Sequence, residues 1–287
     1  MKICRFNEGH LGIVEGDLVY DVSAALNVLP QPRYPLPAED LLVANLQAVC
    51  EAARTLIATA ESMPLESVRL LSPVANPSKI VGAPINYASH IDESVRDKGI
   101  AFDRKITTIH DWGLFLKAST SLVGFGEKIV LRRPDRRNDH ECELAVIIGK
   151  RCSKVSRDDA HDYIAGYAIG LDMTVRGPEF QCWRKSVDTY SVLGPWLVTA
   201  DEIDNPNDLA LTLRVNGEIR QDANTRDLVV DVAGLVEMAS AMYTLVPGDV
   251  IMTGTPAGVG PVLPGDRITA FVAGIGPATI EVADHYE

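Results

Sequence analysis

Apolar and polar residues alternate along several short stretches of the chain, and this period of two is typical of β-strands. Residues 11–20 alternate around Glu15, Gly16 and Asp17, which suit the turn of a β-hairpin. Further strands are predicted at 79–82, 128–131, 143–149, 211–216, 250–253 and 267–275. So many strands with so few helices favour an α+β, β-rich fold that closes as a roll or barrel.

Apolar residues recur at helical spacing in three places. The longest is 38–61, where Pro37 precedes the pattern and two acidic residues lie in its first turn, as expected at a helix N-terminus. Shorter helices are predicted at 160–165, behind a capping-box pattern, and at 231–243, where Asp231 can cap the first turn.

The chain divides near residue 72. Pro73 and Pro77 bracket a polar, extended stretch between the long helical pattern and the later strands. We therefore predict a small N-terminal α/β domain of residues 1–72 and a larger β-rich domain of residues 73–287.

Three carboxylates interrupt apolar stretches of the larger domain. Glu141 and Glu143 open the strand predicted at 143–149, and Asp172 ends a second apolar run. Side chains alternate across a strand, so the two glutamates share a face, and burying both costs several kcal/mol unless positive charge compensates them. A hard divalent cation with oxygen ligands would do so, which predicts a metal site. The alternative is a strand that begins at the surface with both glutamates in solvent.

Two further groups of polar residues could take part in catalysis. His90 and Glu93 lie three residues apart, so on a helical turn Glu93 can orient the imidazole as a base that activates water. The alternative is an exposed turn pair with no catalytic role. Downstream of Asp172, Arg176 and Lys185 could hold an anionic substrate or stabilise an enolate, but on spacing alone they could equally be surface charges.

A polar segment, residues 91–112, carries charges of both signs and few apolar residues. Such a stretch within a compact domain is typical of a lid, a binding loop or a mobile surface. Its position beside His90 favours the lid.

The glycine-rich stretch 254–260 lacks the Gly-Lys-Ser/Thr ending of a phosphate loop. It suits a tight loop that offers backbone N–H groups and the Thr255 hydroxyl to a small anion.

The composition argues against several classes of function. The formal net charge of the 287 residues is −12, whereas a nucleic-acid partner requires clustered Lys and Arg. No apolar run approaches the roughly 18–20 residues of a membrane span, and the first residues lack a signal-peptide pattern, so we expect a cytoplasmic protein with no membrane partner. The five cysteines form no C-x-x-C pair, which argues against a disulfide framework or a zinc ribbon.

Taken in order, the motifs from residue 79 onward resemble those of the fumarylacetoacetate hydrolase family. They are K-I-V-G at 79–82, N-Y at 86–87, H-x-x-E at 90–93, F-L-K-A-S-T at 115–120, E-x-E-L-A-V-I-I-G-K at 141–150, G-Y at 166–167, K-S-V-D at 185–188, L-G-P-W at 193–196, V-N-G at 215–217 and P-G-D-V-I-M-T-G-T-P-x-G-V at 247–259. The resemblance implies the family's mixed β-roll as a catalytic domain over residues 73–287. It also implies a cap domain over residues 1–72, as in bacterial two-domain members, and a homodimer.

The resemblance further implies the site residues. The ligands of a Mg²⁺ ion, or of Mn²⁺ or Ca²⁺ in its place, would be Glu141, Glu143 and Asp172. The catalytic residues would be His90, Glu93 and Lys185. The substrate contacts would be Lys117, Arg176, Gly254 and Thr255.

The implied activity is hydrolysis of a carbon–carbon bond in a 1,3-diketo acid, such as an acylpyruvate, fumarylpyruvate or a sugar-derived diketo-deoxy acid, in aromatic or sugar-acid catabolism. His90 and Glu93 would activate water, and the metal and Lys185 would stabilise the released enolate. A decarboxylase of oxaloacetate or an isomerase of hydroxymuconate type is the alternative enzyme. A metal-dependent protein that binds diketo acids without turnover is the non-enzymatic alternative, and the retained His90 and Glu93 count against it.

Three features depart from the family pattern. Larger, eukaryotic-type members take a fourth metal ligand from an aspartate where Asn86 and Tyr87 lie here, so we expect three protein ligands. His140 replaces an aromatic residue before the first glutamate. The stretch 177–183 is shorter than the glutamine-containing loop usual there, which leaves the identity of the substrate open.

Overall fold

The computed structural model describes residues 1–102 and 105–285, and strands account for much of it. The strands before residue 85 are β1 (Lys2–Phe6), β2 (His10–Glu15), β3 (Leu18–Asp21), β4 (Ser62–Pro64), β5 (Leu70–Leu71) and β6 (Ile80–Gly82). Those after it are β7 (Phe115–Lys117), β8 (Leu122–Val123), β9 (Lys128–Val130), β10 (Asn138–His140), β11 (Cys142–Ile148), β12 (Ile164–Asp172), β13 (Thr174–Val175), β14 (Ser191–Thr199), β15 (Ala210–Val215), β16 (Glu218–Asn224), β17 (Val250–Met252), β18 (Gly260–Pro261), β19 (Arg267–Val272) and β20 (Gly276–Ala283).

The helices are short. The α-helices are α1 (Leu41–Ala44), α2 (Leu46–Leu56), α3 (Ala88–Arg96), α4 (Lys98–Ala101), α5 (Ile109–Trp112), α6 (Gln181–Lys185) and α7 (Val232–Met242). Turns of 3₁₀-helix lie at Ser23–Val28, Ile57–Thr59, Leu65–Ser67, Ser119–Ser121, Ala160–Tyr163, Ala200–Glu202 and Thr225–Asp227. No helix in the described ranges combines the length and apolar character that crossing a bilayer requires.

Within the described residues the strands form three sheets. The largest runs β4-β3-β2-β1-β14-β12-β11-β17-β6-β7, with β5 paired to β1 and β8 paired to β14. The second runs β13-β10-β18, and the third runs β16-β15-β19-β20-β9. This arrangement agrees with the β-rich α+β fold that the alternation predicts.

Strand β11 lies inside the largest sheet and is buried on both faces. Leu144, Val146 and Ile148 pack into a core shared with β15, β19 and α7. Ala145 and Ile147 pack into a second core, which α1 and α2 share. A strand covered on both sides carries no polar face, which explains its continuous apolar run.

The N-terminal strands extend the largest sheet rather than forming one of their own. β1 pairs antiparallel with β14, and β2 and β3 form the predicted hairpin. The division into residues 1–72 and 73–287 stays a prediction, and residues 286–287 of the second range lie outside the described residues.

The helix predicted over 38–61 is present but shorter and divided. It begins at Leu41 because the carboxylate of Asp40 caps it, accepting a hydrogen bond from the Val43 N–H at 3.1 Å. Asn45 separates α1 from α2, and the α-helical part ends at Leu56.

The helix predicted at 160–165 is wrong. Ala160–Tyr163 is a single 3₁₀ turn, and β12 begins at Ile164. Tertiary pairing overrides the local pattern, because β12 lies between β11 and β14 and forms ladders with both. The helix predicted at 231–243 is confirmed as α7, where the Asp231 carboxylate caps the Gly234 N–H at 3.0 Å.

The buried side chain of Asn86 connects the segment after β6 to the segments that contain Val230 and Thr253. Its Nδ2 donates to the carbonyls of Val230 and Thr253, and its Oδ1 accepts from the Val230 N–H, each at 2.8 Å. Asn86→Ala leaves these buried groups unpaired, so we expect a loss of about 2–4 kcal/mol of unfolding free energy. Thermal melting should fall by roughly 5–10 °C. The control Asn27→Ala, at an exposed position, should melt like the wild type; an equally small shift for Asn86→Ala contradicts the assignment.

Candidate metal centre and active site

The three carboxylates predicted to bind a metal come together at one end of the strand pair β11–β12. Glu141 lies between β10 and β11, Glu143 lies in β11, and Asp172 ends β12. The Asp172 N–H donates to the Glu141 carbonyl at 2.9 Å, which fixes the two backbones side by side. One ligand oxygen from each residue lies within 4.8 Å of the others. All three side chains are buried, so the alternative with both glutamates in solvent is wrong.

Three cations surround two of these carboxylates. The Lys185 ammonium donates to Glu141 Oε2 at 2.7 Å and to Asp172 Oδ2 at 2.6 Å. Arg176 Nη2 donates to Glu141 Oε1 at 2.9 Å, and the Lys117 ammonium donates to the other oxygen of Asp172. Burial lowers the pKa of Lys117. Burial would also lower the pKa of Lys185, but Asp172 and Glu141 outweigh it and raise that pKa.

Glu143 has less compensation than its two neighbours. Its described hydrogen bond comes from the backbone N–H of Gly254, at 2.7 Å to Oε2. Burial, together with the charges of Asp172 and Glu141, raises the pKa of Glu143 well above its ordinary value. Burial would also raise the pKa of Glu141, but Lys185 and Arg176 outweigh it and hold that pKa below its ordinary value. A hard divalent cation fits this donor set, because all three donors are carboxylates and its positive charge would offset the charge of Glu143.

His90 and Glu93 form the predicted pair on α3. His90 Nδ1 and Glu93 Oε2 are 2.8 Å apart, and Glu93 Oε1 accepts from the Gly258 N–H at 2.9 Å. His90 is buried and lines the same cavity as the three carboxylates. A neutral imidazole that donates from Nδ1 keeps Nε2 as a base, so this orientation suits water activation.

A cavity of about 50 Å³ connects these groups. Its wall includes the three carboxylates, His90, Arg176, Lys185 and Thr255. The predicted lid, residues 91–112, contributes Ser94, Ile100, Ile106 and Trp112 to the same wall. Residues 103 and 104 of that segment lie outside the described residues. Small-molecule sites usually measure roughly 300–1,000 Å³, so this cavity is smaller than a typical substrate site.

The four predicted substrate contacts differ in position. Arg176 and Thr255 line the cavity, whereas Lys117 is fully buried behind Asp172, and the Gly254 N–H is occupied by Glu143. The Thr255 hydroxyl donates to the Cys142 carbonyl at 2.9 Å. Their roles as substrate contacts stay predictions.

Sequence reasoning missed several residues of the site. Ser94 and Arg184 line the cavity, although the sequence analysis named neither of them as a site residue. Asp139 is buried and pairs with Arg176 at 2.7 Å. For Ser94 a signal was present, because it follows His90 by four positions and therefore shares its helix face. His140 is buried, and burial lowers its pKa to about 4, so its imidazole is neutral.

A family profile described as fumarylacetoacetate (FAA) hydrolase C-terminal matches residues 79–283. A maleylpyruvate hydrolase from Aquipseudomonas alcaligenes is 56% identical to this chain over 284 residues, covering 98% of this chain and 99% of that protein. The chain belongs to the fumarylacetoacetate hydrolase family. An oxaloacetate tautomerase, Fahd2a, from Rattus norvegicus mitochondria is 33% identical over 270 residues, covering 91% of this chain and 82% of that protein.

Solved structures of the fumarylacetoacetate hydrolase family agree over the full length. A maleylpyruvate hydrolase from Sphingobium sp. SYK-6, in complex with manganese(II) ion and pyruvate, matches with a TM-score of 0.84 and 39% identity, covering 99% of each chain. The predicted family, its fold and the predicted class, a hydrolase of carbon–carbon bonds in keto acids, are confirmed.

Because cations offset the charge of Glu141 better than that of Glu143, replacing each by glutamine should change the stability of the metal-free protein in opposite directions. Because the folded pKa of Glu143 lies above its unfolded value, the protonated form contributes stability at low pH that is lost as pH rises through the folded pKa. Glu143→Gln stays neutral, so at pH 8 it should melt roughly 2–4 °C above the wild type in EDTA and lose the stabilisation by Mn²⁺. Melting curves from pH 5 to 9 measure both effects.

The matched control is Glu141→Gln. It removes the negative charge that pairs with Lys185 and Arg176, so the metal-free protein should melt below the wild type. Destabilisation by both substitutions at pH 8 would contradict the assignment of the uncompensated charge to Glu143.

Proposed function

We propose that this protein hydrolyses the carbon–carbon bond of acylpyruvates, with maleylpyruvate as the first candidate substrate. The observation that carries the proposal is a cavity lined by three clustered, buried carboxylates together with His90 and Lys185. The relatives from Aquipseudomonas and Sphingobium support the choice of maleylpyruvate. Hydrolysis of this substrate yields maleate and pyruvate.

We assign Glu141, Glu143 and Asp172 as ligands of a divalent cation, with Mn²⁺ or Mg²⁺ as the candidates and Ca²⁺ as a third. A cation bound there would offset the carboxylate charges and supply Lewis acidity for the reaction of the keto acid. The Mn²⁺ complex of the Sphingobium relative supports metal dependence. We further expect a homodimer and a cytoplasmic location, which light scattering and cell fractionation test.

Different side chains in the cavity carry out the successive steps of the proposed hydrolysis. His90, oriented by Glu93, takes a proton from the water that attacks the carbonyl distal to the pyruvate unit. Collapse of the tetrahedral adduct breaks the carbon–carbon bond and leaves negative charge on the pyruvate fragment as its enolate. Lys185 and Arg176 offset that charge from the cavity wall. His90 then gives the proton that it took from water to the enolate carbon, which completes the release of pyruvate and restores the base.

If the protein hydrolyses maleylpyruvate, its kcat should depend on His90 and Glu93, the pair proposed to activate water. With Mn²⁺ and maleylpyruvate the wild type should release pyruvate, measured by coupling to lactate dehydrogenase. His90→Ala and Glu93→Gln should each lower kcat by roughly 10²–10⁴, because each removes or misorients the general base. Affinity for Mn²⁺, measured by calorimetry, should change little.

The matched control is Asp92→Asn, which removes the same charge from the exposed side of α3. Its kcat should stay within about twofold of the wild type. Wild-type kcat in the Glu93→Gln variant would refute the role of the pair, and absence of pyruvate release by the wild type would refute the function.

A second candidate is tautomerisation of oxaloacetate, which the rat relative favours. That reaction moves a proton and needs no attacking water. Following the ultraviolet absorbance of enol-oxaloacetate in the wild type tests it directly.

We propose that residues 91–112 form a lid that opens for the substrate and closes for catalysis. The cavity volume of about 50 Å³ and the lid side chains in its wall support this motion. Pyruvate with Mn²⁺ should slow hydrogen exchange in 91–102 at least several-fold relative to Mn²⁺ alone, because closure protects backbone amides. Exchange in α7, away from the cavity, is the internal reference. Unchanged exchange in 91–102 contradicts the lid.

A further inference from the structure

A buried amide side chain lies in strand β16, whose residues are otherwise exposed or half-buried. Gln221 is 0% exposed, whereas its neighbours Arg220 and Asp222 are exposed. An amide offers both donors and an acceptor, and burying it costs free energy unless these groups are paired. The partners of Gln221 therefore indicate what this side chain does in the folded protein.

The Gln221 amide joins the strand of the proposed metal ligands to the glycine-rich loop 254–260. Its Oε1 accepts from the Cys142 N–H at 3.0 Å, and Cys142 lies between the two glutamates of the metal centre. Its Nε2 donates to the Thr255 hydroxyl at 2.7 Å and to the Pro256 carbonyl at 2.9 Å. The Thr255 hydroxyl in turn donates to the Cys142 carbonyl at 2.9 Å. These four bonds fix the loop against β11.

The same loop holds the proposed water-activating pair on α3. The Gly258 N–H donates to Glu93 Oε1 at 2.9 Å, and the Ala257 N–H donates to the Ser89 hydroxyl at 3.4 Å. The other oxygen of Glu93 lies 2.8 Å from His90 Nδ1. The position of the loop therefore influences where Glu93 and the imidazole lie.

We propose that Gln221 is a positioning residue for the hydrolysis. It holds loop 254–260 against β11, so that His90 and Glu93 keep a fixed place relative to the three clustered carboxylates. Gln221 does not belong to the cavity wall that the described residues form, so it acts through the loop and not on the substrate. A misplacement of about 1 Å that originates away from the reacting atoms can cost roughly 10²-fold in rate. The inference rests on the proposed hydrolase function and adds a residue to it.

Gln221→Met tests the role, because it keeps roughly the length of the side chain and removes the amide. We expect kcat for maleylpyruvate to fall roughly 10- to 100-fold. The matched control is Thr225→Val, directly after β16. Thr225 is also buried, and its hydroxyl bonds the Pro206 carbonyl and the Leu209 N–H, each at 2.8 Å, neither of which belongs to the loop. This control should lose stability too, but its kcat should stay within about twofold of the wild type.

A double-mutant cycle separates positioning from a general loss of structure. In the His90→Ala background the general base is absent, so Gln221→Met should lower kcat further by less than about twofold. The loss expected in the wild-type background would therefore disappear. An equal loss in both backgrounds would make Gln221 a purely structural residue and overturn the proposal.

Hydrogen exchange in EDTA tests the positioning without substrate or metal. Gln221→Met should speed exchange in 254–260 and 88–96 at least several-fold, because the loop loses its attachment to β11 and α3 loses its attachment to the loop. Thr225→Val should leave exchange in both segments at the wild-type rate. Wild-type exchange in Gln221→Met, or equally fast exchange in the two variants, contradicts the proposal.

The outcomes distinguish this proposal from the hydrolase function. If the wild type releases no pyruvate from maleylpyruvate, the function fails, and exchange decides whether Gln221 fixes the loop. If the wild type is active and Gln221→Met keeps its kcat, the positioning role is wrong while the function stands. If Gln221→Met does not fold, Thr255→Val breaks the same link from the loop side. Its loss of kcat should likewise disappear in the His90→Ala background, and a loss that persists there overturns the proposal.

Discussion

The burial of three carboxylates within 4.8 Å of one another is the constraint on which the rest of the site depends. Like charges at this separation in a low-dielectric environment repel strongly, so cations have to lie close by. The chain supplies Lys117, Lys185 and Arg176 from β7, α6 and the segment after β13. The folded sheet therefore serves the site by bringing distant segments to one end of β11 and β12.

The compensation continues outward as a chain of ion pairs that reaches the lid. Arg176 bonds both Glu141 and Asp139, Asp139 also pairs with Arg137 at 2.7 Å, and Arg137 pairs with Asp97 at 2.8 Å. Asp97 caps α4 within the predicted lid. Four consecutive ion pairs therefore connect Glu141 with Asp97 in the segment 91–112.

The sequence alone was sufficient to predict contacts that depend on local backbone geometry. Alternation predicted that Glu141 and Glu143 share a face, and helical spacing predicted that Glu93 reaches His90. It failed where partners are distant in the chain, as at 160–165, where β12 begins at Ile164 to pair with two strands and only a 3₁₀ turn precedes it. It also could not separate Lys117, held behind Asp172, from residues that face the substrate, because burial and direction depend on tertiary packing.

The loop that follows β17 shows why a motif can be recognised before its physical role is known. The glycine-rich pattern suggested backbone N–H groups that hold a small anion, and in the structure the anions are carboxylates of the protein itself. The Gly254 N–H holds Glu143, and the Gly258 N–H holds Glu93. Both glycines have positive φ, 97° and 100°, and a Cβ at Gly258 would lie 1.9 Å from the Arg220 carbonyl oxygen. One short loop thus fixes a proposed metal ligand relative to the proposed water-activating pair, and only glycine permits the backbone to do so.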